Sequence, residues 1–182
     1  MTITVDVRPE VQAELARQAA SRGRAIEAYA QRLAEEIGLV ASHAGKRKVT
    51  HIHWGGGTPS ILDADLLKFV TDELAHRFDL SAIREHAIEL DPRYVTRPLL
   101  QALRDIGVNR ASLGVQDFSA HVQQAAGRIQ PFDTVKNAVD MLHDFGIDRI
   151  NIDLMYGLPK QTVADVQRTA TLAHSGLVWG WK

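Results

Sequence analysis

Short apolar runs of strand length alternate with amphipathic segments of helical period along most of this chain. Strands that alternate with helices of about ten to fifteen residues are typical of βα units around a parallel sheet, joined by right-handed crossovers. The predicted strands are residues 49–54, 87–90, 110–115 and 149–155. The predicted helices are residues 64–78, 99–106, 119–126, 132–145 and 162–172. The sequence therefore predicts an α/β fold with helices packed on a parallel sheet.

The first 37 residues have a different pattern. Residues 2–7 alternate like an edge strand, and amphipathic helices are predicted over residues 8–20 and 26–37. This strand–helix–helix pattern is similar to the ribbon-helix-helix module of small antitoxins and repressors, in which the strand would enter the DNA major groove. The polar residues of the strand are Thr2, Thr4 and Asp6, with no cation to contact phosphate. Nucleic acid is therefore a disfavoured partner.

The composition excludes several classes of chemistry. The chain has no cysteine in its 182 residues, which excludes disulfides, thiolate nucleophiles and iron–sulfur clusters held by its own cysteines. The formal net charge of −1 gives no general attraction to nucleic acid or to an anionic membrane. No apolar run approaches the roughly 20 residues that span a bilayer, and the N-terminus lacks a signal-peptide pattern. We expect a cytoplasmic protein with no membrane partner.

Polar or glycine-rich residues lie at the carboxyl ends of four of the predicted strands, inside the strand or just after it. They are the three glycines at residues 55–57 with Thr58, then Glu89, Gln116 with Asp117, and Asp153. In parallel α/β folds the chemistry sits on the loops at the carboxyl ends of the strands, so we expect these residues to share one pocket. Glycines let the backbone approach a ligand closely, although a tight turn explains them equally well.

Two of these residues are carboxylates inside apolar strands. An unpaired carboxylate there costs several kcal/mol, so Glu89 and Asp153 each need a partner. The partner is Arg128, a backbone amide, or a hydroxyl or amine of a ligand. A structural ion pair and a functional site explain the position equally well. For Gln116 with Asp117, the alternative is that a polar pair at a strand end caps the next helix.

His51 and His53 alternate within a predicted strand and therefore point to the same face of the sheet. Such a pair at a strand end can ligate zinc, with Asp153 as a further ligand, which would suit a metal-dependent hydrolase. No other histidine follows a predicted strand. Hydrogen-bonded histidines without a metal are therefore the favoured interpretation, and the hydrolase is an alternative.

Five separated strings occur in the order and spacing of one known family: HIHWGGGTPSIL, IELDPRYVT, LGVQDF, GRIQPFD and NIDLMYGLPKQT. They resemble the oxygen-independent coproporphyrinogen III oxidases, which are radical S-adenosylmethionine (SAM) enzymes of haem biosynthesis. The resemblance implies that residues 25–172 form a partial TIM-like (β/α) barrel with helices on its outer face. Residues 1–24 are then a divergent strand–helix segment, and residues 173–182 a divergent tail.

The resemblance also implies roles at matching positions. Gly56 and Glu89 resemble contacts to the SAM that ligates an iron–sulfur cluster. Five further residues resemble contacts to a second SAM beside the porphyrinogen: Gly57, Thr58, Gln116, Arg128 and Asp153. In the intact family, a reduced [4Fe–4S] cluster cleaves SAM to a 5′-deoxyadenosyl radical. That radical abstracts hydrogen from two propionate side chains, which decarboxylate to vinyl groups as coproporphyrinogen III becomes protoporphyrinogen IX.

The chain departs from the family pattern at both ends. The family's first barrel strand and its C-x-x-x-C-x-x-C loop should lie upstream of Ala25, and the match fades after residue 172. We therefore expect a truncated barrel that ligates no cluster, contains no catalytic residue and has no decarboxylase activity alone. Loss of the first strand would leave an exposed sheet edge and favour a homodimer, unless residues 2–7 cover that edge.

Overall fold

The computed structural model describes residues 2–6 and 25–177. Five strands form one parallel sheet whose spatial order, β1-β2-β3-β4-β5, equals their order in the chain. The strands are β1 (Thr2–Asp6), β2 (His51–Gly55), β3 (Glu85–Leu90), β4 (Arg110–Gln116) and β5 (Arg149–Leu154). The helices are α1 (Ala25–Ala44), α2 (Ala64–Arg77), α3 (Arg97–Asp105), α4 (Ala120–Ala125), α5 (Phe132–Asp144) and α6 (Val163–Leu177). The predicted α/β fold with a parallel sheet is confirmed.

The hydrophobic core lies between one face of the sheet and the helices. Along β2, Trp54 is fully buried, whereas His51 and His53 on the other face are half-buried. The same alternation buries Ile88 of β3 and Leu113 of β4. This apolar face packs against the apolar stripes of α1, α2, α3 and α5 in one continuous cluster. The opposite face of the sheet is polar and carries Glu89 and Asp153 of the predicted site.

Side-chain caps fix the beginnings of two helices. The Asp63 carboxylate accepts a hydrogen bond from the backbone N–H of Leu66 at 2.9 Å, which caps α2. The Thr96 hydroxyl accepts one from the N–H of Leu99 at 3.4 Å at the start of α3. Each cap satisfies an N–H group that has no partner inside its helix, and so fixes the residue at which the helix begins.

Two helices continue beyond their predicted ends because other elements pack against them. The prediction ended α1 before Gly38, but the helix continues to Ala44. A Cβ atom added at Gly38 would lie 3.1 Å from Cζ of Arg77, so the missing side chain makes room for α2. Helix α6 likewise continues past residue 172, and its last turns bury Ala173 and Leu177. Burial of an apolar face thus extends α6, whereas the added turns of α1 leave Leu39 and Val40 exposed.

Strand β1 covers the edge of β2. The two strands are parallel, with Thr2 opposite His51 and Asp6 opposite Gly55. The sheet edge expected to be exposed at β2 is therefore paired. Residues 26–37, the second helix of the ribbon-helix-helix alternative, belong to α1 and pack on α2. The strand and this helix thus belong to the α/β sheet and its helical layer, which contradicts that alternative. Its remaining helix, residues 8–20, lies outside the described residues.

Strand β5 stands at the other edge of the sheet. None of its six residues is buried, whereas β2, β3 and β4 each bury more than half of theirs. The carboxyl end of this open strand carries Asp153. Among residues 25–177, no helix has the length and apolar character needed to cross a bilayer.

Candidate functional site

A cavity of about 160 Å³ opens at the carboxyl ends of the strands. It is lined by Gly57, Thr58, Glu89, Leu90, Asp91, Gly114, Gln116, Arg128 and Asp153. Six of the seven predicted cofactor contacts are among these residues, and they come from the ends of four strands and from the segment after α4. The seventh, Gly56, directly precedes Gly57 and is not in the cavity lining. Parallel strands end at one edge of a sheet, which is why residues far apart in sequence meet here.

The glycine segment after β2 has the backbone conformation that only glycine adopts at low cost. Gly56 and Gly57 have φ angles of +76° and +72°. These positive angles turn the chain back over the end of the sheet, and the missing side chains leave the backbone open to close approach. Gly55 has a different role, because a Cβ atom there would lie 2.8 Å from Nε2 of His53 and 3.0 Å from Oε1 of Glu89. Gly55 therefore makes room for a side-chain pair.

Glu89 of that pair is the first of three carboxylates that line the cavity. Nε2 of His53 and Oε1 of Glu89 are 3.2 Å apart. Asp153, by contrast, has no hydrogen-bond or ion-pair partner among residues 25–177. Partial burial and the nearby charge of Glu89 raise the pKa of Asp153, although the residue itself is exposed. The charges of Arg110 and His53 oppose this shift without reversing it, so the cavity holds a carboxylate whose negative charge the protein compensates only in part.

The third carboxylate, Asp91, is almost buried and fully compensated. Its side chain is 10% exposed and forms ion pairs with Arg93 (2.7 Å) and Arg128 (3.1 Å). Burial alone would raise the pKa of Asp91, but hydrogen bonds from Arg93 and the charges of both arginines outweigh it and lower that pKa. Sequence reasoning missed Asp91 as a site residue and used it only as a strand end. Its position two residues after Glu89, at the same strand end, was the available signal.

Gln116 ends β4 in a strained conformation, with a φ angle of +71° at a shift in the register between β4 and β5. Such a conformation in a residue with a Cβ atom persists only where the surroundings enforce it, and it is frequent at functional sites. Gln116 and Arg128 also line a second, more apolar cavity of about 230 Å³. Its other lining residues are Val115, Asp117, Val122, Gln123, Ala126, Met155 and Leu158. The two cavities therefore adjoin at Gln116 and Arg128.

Asp117, predicted together with Gln116, has a structural role. Its buried carboxylate accepts hydrogen bonds from the N–H of Ser119 (2.5 Å) and from Nε2 of Gln161 (2.6 Å). Burial would raise the pKa of Asp117, but these hydrogen bonds lower it. Gln161 also donates to the carbonyl of Met155, so this contact ties the loop after β5 to the end of β4. Asp117 therefore fixes the turn before α4 and does not cap the helix, because the N–H that it accepts from belongs to Ser119, which precedes the helix. Gln116, by contrast, lines both cavities.

The histidine pair provides no metal site in the described part of the chain. Nδ1 of His51 lies 2.9 Å from the Thr50 hydroxyl, and His53 pairs with Glu89. Across residues 2–6 and 25–177, no group of three or more metal-ligating side chains is close enough together to hold an ion. The arrangement favours the hydrogen-bonded interpretation of both histidines over the hydrolase alternative.

Comparison with known proteins places the chain in a family. The model of the radical SAM superfamily matches residues 14–173. The chain belongs to the radical SAM superfamily. Two curated relatives are named oxygen-independent coproporphyrinogen III oxidase. The protein of Bradyrhizobium diazoefficiens is 46% identical over 161 residues, which cover 86% of this chain and 36% of the relative. The protein of Paracoccus denitrificans is 39% identical and covers 75% of this chain and 30% of the relative.

Solved structures of radical SAM proteins agree with this assignment. The coproporphyrinogen III oxidase HemN of Escherichia coli matches with a TM-score of 0.75 and 35% identity, over 83% of this chain and 35% of that one. The Elp3 protein of Methanocaldococcus infernus matches with a TM-score of 0.64 and 16% identity, over 96% of this chain and 42% of that one, and so supports the fold alone. The chain is a partial TIM-like barrel that spans about a third of the length of its curated relatives.

The superfamily implies two groups, SAM and a [4Fe–4S] cluster, which fit this chain differently. Thiolates hold such clusters, and the sequence has no cysteine, so its residues do not fit the cluster. The charged groups of the cavity do suit SAM. The Asp153 carboxylate suits the cationic sulfonium and ammonium groups, and Arg128 suits the ligand carboxylate. The positive φ angle of Gly57 adds a backbone that a ligand can approach closely.

Proposed function

We propose that this chain is the SAM-binding portion of a radical SAM barrel of the coproporphyrinogen III oxidase type. One observation carries the proposal: six of the seven positions predicted to contact SAM line a single cavity. A shared cavity is the expected result if these residues serve one ligand.

The polar groups of the cavity match the two ends of SAM by charge. Asp153 and Glu89 attract the ammonium and sulfonium groups and accept hydrogen bonds from ribose hydroxyls, while Arg128 binds the carboxylate. Gln116 provides both a donor and an acceptor at the boundary with the second cavity. Binding a cation beside Asp153 would also remove the unfavourable interaction that raises its pKa.

The porphyrinogen substrate, the oxidative decarboxylation and the cytoplasmic location expected from the sequence belong to the same proposal. SAM chemistry in this superfamily depends on the cluster, and the chain offers it no thiolate. We therefore propose that these 182 residues bind SAM but do not decarboxylate the substrate alone. A homodimer through a sheet edge would use β5, because β1 already pairs with β2.

Isothermal titration calorimetry with SAM tests the proposed function. We expect micromolar binding to the unaltered chain, weakened about tenfold or more by Asp153→Ala, because a charge-assisted contact contributes about 1.5–3 kcal/mol. Asp148→Ala is the matched control. It removes a carboxylate just before the start of β5, where the side chain is 74% exposed and distant from the cavity, and it should leave the affinity unchanged.

The result is interpretable only for folded protein, so each variant is also melted. A cooperative thermal transition without SAM binding would refute the proposed function, since the barrel would then fold without a SAM site. Equal weakening by Asp153→Ala and Asp148→Ala would also refute it, because the effect would then be one of overall charge.

A further inference from the structure

Asp91 is the least exposed carboxylate of the cavity and is held at several points. Its Oδ1 accepts hydrogen bonds from the backbone N–H and from Nε of Arg93, both at 3.0 Å. Its Oδ2 accepts from Nη2 of Arg93 at 2.7 Å and lies 3.1 Å from Nη2 of Arg128. The backbone contact fixes the carboxylate at the start of the 3₁₀ turn Pro92–Tyr94. Asp91 is therefore a rigid anion directly after β3.

Arg128 is held on one side by this anion and on the other by backbone and amide groups. Its Nη2 donates to the carbonyl of Gly114 at 2.8 Å, and its Nε donates to Oε1 of Gln130 at 3.4 Å. Gln130 is itself fully buried, and its Nε2 donates to the same carbonyl at 3.3 Å. Within residues 25–177, Nη1 is the one guanidinium nitrogen of Arg128 with no hydrogen bond or ion pair.

We infer that Asp91 is a positioning residue for a carboxylate subsite, which fixes the Arg128 guanidinium so that Nη1 is presented to the carboxylate of the ligand. This inference rests on the proposed function and extends it to the group by which the ligand is recognised. A ligand with that carboxylate binds in preference to one without it, because the planar guanidinium donates along a fixed direction.

Removal of the Asp91 charge has opposite expected effects on binding of the ligand carboxylate, depending on whether Asp91 acts by its charge alone or by positioning Arg128. The negative charge of Asp91 repels a ligand carboxylate, so neutralising it would strengthen binding if charge alone mattered. If Asp91 acts by holding Arg128, neutralising it frees the guanidinium to adopt other rotamers, and recognition of the carboxylate weakens. The sign of the change therefore distinguishes positioning from simple charge.

The test measures the dissociation constants of SAM and of decarboxylated SAM by calorimetry. We expect the unaltered chain to prefer SAM by about tenfold or more, since the lost contact is a charged hydrogen bond. Asp91→Asn keeps the acceptor that caps the turn but loses the charge that holds Arg128, so the preference should fall to about threefold or less. Asp144→Asn is the matched control. It neutralises an aspartate that pairs with an arginine, Arg97, outside the cavity lining, and it should keep the preference.

A second variant keeps the test independent of how Asp91→Asn folds. Arg128→Lys retains the positive charge but lacks the planar fork, and it should also lose the preference. An unchanged or larger preference in Asp91→Asn, or an unchanged one in Arg128→Lys, would overturn the positioning role. Binding of SAM with normal affinity together with either result would leave the proposed function intact. Failure of the unaltered chain to bind either ligand would overturn both.

Discussion

Strands β3 and β5 place carboxylates at both ends of the sheet, but the arginines of the described strands pair only with the one at the amino end. Near its amino end, Glu85 of β3 accepts hydrogen bonds from Arg110 of β4 and Arg149 of β5, both at 2.7 Å. Four residues further along the same strands, Glu89 has one histidine partner at 3.2 Å, and Asp153 has no partner among residues 25–177. Residues at even spacing share a face of the sheet, so both sets belong to its polar face.

The pKa shifts reflect this difference. Burial alone would raise the pKa of Glu85, but the hydrogen bonds and charges of Arg110 and Arg149 outweigh it and lower that pKa. The pKa of Asp153 is raised, because burial and Glu89 act in the same direction. The amino end is therefore satisfied within the chain, whereas the carboxyl end has groups that a bound ligand would satisfy. This division between stability and binding is the expected one in TIM-like barrels.

The largest expected effect on stability comes from His86, which belongs to neither charged set of the sheet. Its acid response must be measured first, so that it can be separated from the responses of Glu85 and Asp153. His86 of β3 is buried and accepts a hydrogen bond from the indole of Trp54 at 2.7 Å. Burial lowers its pKa from 6.5 to about 4. The neutral folded form therefore contributes stability above pH 6.5 that is lost as the pH falls towards 4. We expect the free energy of unfolding to fall by about 3 kcal/mol over that interval.

Urea unfolding at about pH 7, 5.5 and 4, which covers the interval between the ordinary and the lowered pKa of His86, measures this loss. His86→Gln retains an acceptor for the Trp54 indole and should remove most of the pH dependence. The same slope in the variant would mean that the ends of the sheet dominate the acid response, and the two ends could not then be compared by pH titration alone.

The next effect compares two isosteric substitutions on one strand. Glu85→Gln leaves Arg110 and Arg149 without their anion, and should lower the free energy of unfolding at pH 7 by about 1–2 kcal/mol. Glu89→Gln removes a half-exposed charge with a single histidine partner and should change it by less than about 0.5 kcal/mol. Chemical denaturation of both variants makes the comparison. Equal decreases in the free energy of unfolding of the two variants would contradict the difference in charge compensation between the two ends of the sheet.

The pH dependence of the contribution of Glu85 to stability gives a second test of the same difference. Because its folded-state pKa is lowered, its contribution is present above the ordinary pKa of glutamate and is lost as the pH falls through the lowered value. The difference between the unaltered chain and Glu85→Gln should therefore shrink in acid, in a background that carries His86→Gln.

The smallest expected effect has the opposite sign. The pKa of Asp153 is raised, so its favourable contribution is present below the ordinary pKa of aspartate and is lost as the pH rises through the raised value. Asp153→Asn should therefore increase Tm at pH 7, by about 1 °C because solvent screens this exposed site. The increase should vanish in acid, and Asp148→Asn should not reproduce it. A lower Tm at pH 7 would show that Asp153 stabilises the fold.

The sequence predicted the parts of the fold and site that depend on neighbouring residues. Buried strands followed by amphipathic helices are recognisable from local periodicity, and the position of Glu89 or Asp153 at the end of its strand then follows. The convergence of six predicted residues on one cavity follows from the parallel direction of the strands. Whether these residues bind SAM stays a prediction.

Features that depend on distant parts of the chain could not be predicted. The helix predicted to end at residue 37 continues to Ala44, and the close approach of Arg77 to Gly38 has no signal in the local sequence. The ion pair of Asp91 with Arg128 joins two loops that no local pattern relates. The pairing of β1 with β2 was expected only as an alternative to an exposed edge, because strand pairing over a long intervening segment leaves no local signal.

The identity of spatial and sequential strand order has a consequence for how the protein is made. From β2 onwards, each strand pairs with the one that precedes it in the chain, so its partner strand is already synthesised when it leaves the ribosome. Only β1 of the described strands has to wait for a later one, and each βα unit after β2 can dock on a strand that is already present. Translation itself then supplies the order of assembly, and premature pairing between distant segments has little opportunity to compete.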